Sequence, residues 1–202
     1  MIAGILSGLS IAGCTETQDT MGPAARAGVP HEVVRAKSDA PRARRWELGW
    51  GAAFAYDAAS GRLIRRVRLA DASMSGAPGT CRPDLVVSRS GAVLVSSNAE
   101  PVLWRIDPAS FEVRRYDIVA DVDRDKDFGF SALAWDAGEK TLYAASAIMG
   151  TLWRIDLESR SATRVALTVP VRGACALAAS EGEGGRQTLT VASGAGAPLW
   201  RV

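Results

Sequence analysis

The sequence predicts an all-β fold of repeated four-stranded blades, a partial β-propeller. Three observations predict it. A Leu-Trp-Arg strand recurs at blade-sized spacing, its copies at 103 and 152 lead through a turn into another extended run, and each copy is preceded by two further short apolar runs.

The anchor strands are Ala53-Phe54-Ala55-Tyr56-Asp57, Leu103-Trp104-Arg105-Ile106-Asp107, Leu152-Trp153-Arg154-Ile155-Asp156 and Leu199-Trp200-Arg201-Val202. Their aromatic residues, Phe54, Trp104, Trp153 and Trp200, stand 50, 49 and 47 residues apart. Alternation along an extended strand puts Trp104 with Ile106, and Trp153 with Ile155, on one face. These indoles are expected to pack between neighbouring blades. The turns that follow, Asp57-Ala58-Ala59-Ser60-Gly61, Asp107-Pro108-Ala109-Ser110 and residues 156–161, are built from Asp, Ser, Gly and Pro. Each of these residues favours a turn for its own physical reason, so the first three anchors each open a hairpin.

Two earlier strands precede each of the three tryptophan anchors: 85–88 with 93–97, 132–135 with 141–146, and 175–179 with 188–193. The first of each pair is apolar on both faces, as strands crowded at an axis should be. The last strand of a unit, such as Glu112-Val113-Arg114-Arg115-Tyr116-Asp117, alternates apolar and charged like an outer edge. On this reading the ring begins with one hairpin at 53–69, adds two full blades and stops three strands into the next. That is about three and a quarter blades, fewer than a closed ring needs. A fragment, a truncated and non-functional product, or an arc completed by another chain is expected.

Ahead of the blades, residues 1–13 form an apolar stretch too short to cross about 30 Å of hydrocarbon as a helix. It reads as an export signal. Its end, Ile11-Ala12-Gly13-Cys14, resembles the lipobox of bacterial lipoproteins, although the usual basic n-region is missing. The resemblance implies lipidation at Cys14 and a membrane attachment on the periplasmic side of a bacterial envelope. Residues 15–45, rich in Ala, Arg, Pro, Gly and Ser without a sustained period, read as a flexible tether that contains the only histidine, His31. The domains expected are therefore a signal segment at 1–14, a tether at 15–45 and the blades at 46–202. With Cys14 set aside, Cys81 and Cys175 remain, either as a disulfide in an oxidising compartment or as two buried thiols.

Charge narrows the partners. Net charge is +2, from 24 basic and 22 acidic residues, which gives no electrostatic reason to expect nucleic acid. An unidentified protein or small molecule is left as the ligand. The folded part as read has no histidine for a nucleophilic triad, and no Cys/His spacing for zinc occurs. Propeller ligands usually bind at the channel mouth, where strand-two to strand-three loops and inter-blade loops gather. Asn98 and Glu100 belong there, with the run Asp121, Asp123, Asp125 and Asp127. Alternating carboxylates are the pattern of an oxygen-rich site for a divalent cation such as calcium, but Arg124 and Lys126 partly neutralise the run and the EF-hand glycine and terminal glutamate are missing. A solvated loop is the competing reading.

Phrases such as Leu103-Trp104-Arg105-Ile106-Asp107-Pro108 and Tyr56-Asp57-Ala58-Ala59-Ser60-Gly61-Arg62-Leu63 resemble blades of the bacterial YVTN, NHL and gluconolactonase-like propeller superfamily, over residues 50–202. Such a likeness speaks to fold far more than to activity. Its gluconolactonase-like branch implies a divalent metal held by Glu, Asn and Asp, for which Asn98, the only asparagine, would join Glu47 or Glu100. Its virginiamycin-lyase branch implies a catalytic His within the blades, whereas His31 lies in the stretch read as tether. The expectation is an envelope-anchored, non-catalytic binding or scaffolding module, with a metal-dependent lactonase as the alternative.

Overall fold

The computed structural model describes residues 31–77, 80–120, 129–182, 185–194 and 199–201. They form four successive antiparallel sheets, the blades. Blade 1 holds β1 (Arg35–Asp39), β2 (Arg44–Gly49), β3 (Ala52–Asp57) and β4 (Leu63–Arg68) in that order. Blade 2 holds β5 (Leu85–Val87), β6 (Val93–Ser96), β7 (Val102–Ile106) and β8 (Val113–Asp117). A short β9 (Val119–Ala120) then leaves blade 2. Blade 3 contains β10 (Ala132–Trp135), β11 (Leu142–Ser146), β12 (Thr151–Asp156) and β13 (Ser161–Arg164), with β9 added in parallel beside β13. Blade 4 has β14 (Ala174–Glu181), β15 (Gln187–Ser193) and β16 (Leu199–Arg201).

The first blade corrects the sequence reading. Residues 35–45, assigned to the tether, contribute β1 and the start of β2, so blade 1 is a complete four-stranded sheet rather than a hairpin. The reason is visible in β1, Arg-Ala-Lys-Ser-Asp, whose middle three residues are exposed. It carries no apolar alternation because it is an inner strand whose Arg35 points to charged and carbonyl partners instead of a core. Backbone pairing holds it in place, running from Arg35 opposite Leu48 to Asp39 opposite Arg44. A 3-10 turn over Ala40–Arg42, with Ala43 in the left-handed region (φ 48°), reverses the chain into β2.

The anchor turns form as their composition dictates. Asp57 Oδ1 accepts the Ser60 N–H at 2.7 Å, Asp107 Oδ1 accepts those of Ala109 and Ser110 at 2.8 Å each, and Asp156 Oδ1 accepts those of Glu158 at 2.8 Å and Ser159 at 3.2 Å. The residue after each serine, Gly61, Phe111 or Arg160, is left-handed. One carboxylate thus satisfies the amides that the tight turn removes from the strand ladder.

The core lies between blades. Trp46, Leu48, Ala53, Ala55 and Val67 of blade 1 meet Val93, Val95, Trp104 and Ile106 of blade 2. Val86, Leu94 and Leu103 on the other face of blade 2 meet Leu142, Trp153 and Ile155 of blade 3. Ala132, Ala145 and Leu152 of blade 3 meet Leu189 and Val191 of blade 4. Trp104 and Trp153, each 1% exposed, therefore face the preceding blade, as the alternation required. Their indole N–H groups are satisfied by the Ala70 carbonyl and the Thr151 hydroxyl, both at 3.0 Å. Burying an indole of this size contributes about 4–6 kcal/mol before entropy is counted. In blade 1 the equivalent aromatic, Phe54, is stacked at 3.7 Å by the ring of His31.

Candidate functional site at the axis and channel mouth

The four blades converge on one charged pair. Asp84 precedes β5 and is 6% exposed. Its Oδ1 accepts the Leu85 N–H at 2.8 Å, and its Oδ2 accepts the Leu133 N–H on β10 of blade 3 at 2.9 Å. The Arg35 Nε of blade 1 sits 3.5 Å from Oδ1. The same guanidinium donates through Nη2 to the Cys175 carbonyl on β14 of blade 4 at 2.7 Å. One aspartate and one arginine therefore touch every blade. Burial pushes the Asp84 carboxyl above its ordinary value, against the opposing pull of the Leu133 N–H, Arg35, Lys37 and the Leu85 N–H. A second polar tie lies beside it, where the Ser131 hydroxyl donates to the Ala174 carbonyl at 2.6 Å.

At the mouth, polar groups hold loops together. The Asn98 amide oxygen accepts the Ser75 N–H, and its amide nitrogen donates to the Ser75 and Cys81 carbonyls, all at 2.8 Å. The inter-blade loop entering blade 2 is thereby clamped to the loop leaving β6. The Ser97 hydroxyl donates to the Ser73 carbonyl and accepts the Ala99 and Glu100 N–H groups at 3.1 and 3.0 Å. Backbones also touch directly. A Cβ on Gly150 (φ 67°) would stand 2.4 Å from Arg172 N, so only glycine admits the loop entering blade 4 at this point. Cys81 and Cys175 are joined as a disulfide, with Cα atoms 4.9 Å apart, linking the entry to blade 2 with the inner strand of blade 4.

Of the metal candidates read from sequence, the described ones do not converge. Asn98 spends its oxygen and both amide hydrogens on backbone groups, and Glu100 Oε2 instead lies 3.6 Å from Arg115 of β8. Glu47, the other partner weighed for Asn98, pairs with Arg45 at 3.0 Å and with His31 at 3.2 Å on the far face of blade 1. Among the described residues no group of three His, Cys, Asp or Glu side chains could hold a metal ion. Asp121, Asp123, Asp125 and Asp127, and the lipobox Cys14, lie outside the described residues. His31, read as part of the tether, packs on blade 1. Sequence reasoning missed Arg35, Asp84 and Ser131. The available signal was Arg-Pro-Asp at 82–84, an aspartate placed directly before an apolar inner strand; the adjacent cation, Arg82, pairs with Glu32 instead.

No protein-family model matches the chain, and no curated protein sequence does. Solved structures do match, and β-propellers are among them. U3-55K superposes with a TM-score of 0.61 at 14% identity, over 86% of this chain and 49% of that one. Hydrazine synthase of Kuenenia stuttgartiensis gives 0.59 at 13% identity, over 90% and 48%. A streptogramin B lyase gives 0.54 at 11% identity, over 86% and 55%. The chain is thus a β-propeller of partial extent, spanning about half the length of the solved chains it matches. At these identities the likeness defines the fold alone, and the neighbours' differing names illustrate how little a propeller says about chemistry.

Proposed function

We propose that this propeller is a non-catalytic binding or scaffolding module, held at a bacterial envelope through a lipid on Cys14. The observation that carries the non-catalytic part is Asn98. A lactonase of the gluconolactonase-like class would use this side chain on a metal, whereas here all three of its hydrogen bonds go to the backbone of the loop at 75–81. A link between the cysteines on blades 2 and 4 also suits an oxidising compartment outside the cytoplasm.

Titration with calcium, manganese and zinc, followed by thermal shift on wild type and Asn98→Ala, tests the catalytic question. The module reading expects Asn98→Ala to melt at lower temperature with the metal response unchanged. Metal stabilisation that is present in wild type and lost in the variant would overturn the non-catalytic reading. Anchoring is tested by palmitate labelling in a bacterial host: wild type should carry label in the membrane fraction, and Cys14→Ser should carry none.

A further inference from the structure

Among the described residues five large apolar side chains are exposed, and four of them stand at one end of the molecule. Val33, Trp50, Ile148 and Val169, between 37% and 55% exposed, all belong to mouth segments. These are the entry to β1, the β2–β3 turn, the β11–β12 turn and the loop between blades 3 and 4. The fifth, Val119, lies at the outer rim beside β13. The Asp- and Ser-rich turns at the opposite end expose none among the described residues. An apolar set confined to one end marks a contact surface.

Their neighbours hold them in place. The Trp50 ring packs on Gly76, where a Cβ would come within 3.2 Å of it, and its indole N–H donates to Glu32 Oε2 at 2.9 Å. Arg82 lies over the same ring, 6.0 Å from its centroid, and pairs with Glu32 at 3.0 Å. With its donor satisfied inside the protein, the ring leaves water without stranding a polar atom. On the other side, the Val171 N–H donates to the Gly150 carbonyl at 2.9 Å and the Gly173 N–H to the Ala147 carbonyl at 2.7 Å. These bonds tie the loop carrying Val169 to the turn carrying Ile148. The Cys81–Cys175 disulfide couples that side to the loop that passes beneath Trp50.

Two observations select a lipid surface as the occupant over a protein. The first is where the chain enters. Only 16 residues, 15–30, separate Cys14 from His31, at most about 60 Å of extended chain. They join the blades at this same end, where the Val34 N–H donates to the Leu48 carbonyl beside Trp50. A lipid on Cys14 therefore presents the mouth to the bilayer first. The second is the distribution of apolar groups over blades 1 and 3 and the entry to blade 4, which a planar surface meets together. Charge does not oppose this contact, since Glu32 pairs with Arg82 and Glu100 with Arg115, and the exposed Arg172 has the sign that suits anionic headgroups. A half-exposed tryptophan beside aliphatic side chains is the composition of a membrane–water interface.

We infer that the channel mouth is a lipid-contact face, which lays the propeller mouth-down on the bilayer that holds its anchor. The choice of lipid rests on the envelope-anchored reading. The test uses the full chain carrying Cys14→Ser, which cannot be lipidated there, and vesicles of phosphatidylethanolamine and phosphatidylglycerol at roughly 3:1, with and without brominated tails. Brominated lipid should quench tryptophan emission, and Trp50→Phe should remove most of that quenching. In flotation, Trp50→Ser and Ile148→Ser should each weaken binding about threefold and the double variant about tenfold. Val119→Ser should bind as the parent does, and all variants should melt close to it. Residues 1–13 are common to every variant, so the differences report the mouth. No binding up to about 5 mM lipid, quenching unchanged by Trp50→Phe, or a double variant that binds as tightly as the parent would overturn the assignment and leave the face to a protein partner. Palmitate labelling of wild type is scored separately. Label without vesicle contact strikes this inference alone, and vesicle contact without label strikes the anchor alone.

Discussion

Asp57, Asp107 and Asp156 sit in exposed turns and accept hydrogen bonds that favour their ionised form, so each titrates below the ordinary aspartate value; the largest contributions come from the Ser60 hydroxyl and from the Ser110 and Ser159 N–H groups respectively. Asp84 moves the other way because burial dominates. The two classes make opposite contributions to stability. The turn aspartates stabilise the fold above their unfolded pKa, and that contribution disappears as pH falls through their lowered folded values. Only between the ordinary aspartate value and its own raised one does Asp84 keep a proton that the unfolded chain has released, so its contribution declines as pH rises through that window. Carboxyl carbon NMR titration should find the three turn residues below the ordinary value and Asp84 above it; Asp84 titrating with the others would refute the assignment. The turn residues were legible because Asp and Ser recur with the blade. Asp84 was not, because its partners Arg35 and Leu133 lie 49 residues away on either side.

At the level of strands and turns, the tryptophan that defines the repeat also fastens each blade to its predecessor. Trp104→Ala removes a buried indole and leaves the Ala70 carbonyl without its donor, for an expected loss of about 3–5 kcal/mol by chemical denaturation. A loss under 1 kcal/mol would mean that the contact between blades 1 and 2 does not depend on it. Arg115→Ala, at an exposed pair with Asp117, should cost well under 1 kcal/mol in the same assay. Most strands after residue 52 were legible in sequence, since their apolar alternation and breakers repeat. Two were not. β1 is polar because Arg35 serves the axis, and β9 is two residues long, with Val119 74% exposed; it exists by pairing with β13 of the next blade, a contact no local pattern encodes.

Across the whole molecule, long-range ties replace what sequence spacing could not specify. The disulfide joins residues 94 apart, and loop-closure entropy for that span corresponds to roughly 4–5 kcal/mol of stabilisation. Cys81→Ser/Cys175→Ser should therefore unfold at markedly lower denaturant than the oxidised wild type and match wild type under strong reductant; equal midpoints under oxidising conditions would show the bond absent in solution. The cysteine pair was legible only as two open readings, because the strand count alone does not bring blade 2 beside blade 4. The mouth was legible as a place, but the roles of Asn98 and Glu100 were not, since backbone partners decide them. Arg35 and Asp84 make one mechanical unit of four blades, which amide hydrogen exchange on Asp84→Ala tests most directly. Protection should fall together in the inner strands β1, β5, β10 and β14, although Asp84 makes no direct bond to β14; a fall confined to Leu85 and Leu133, with β1 and β14 unchanged, would contradict it.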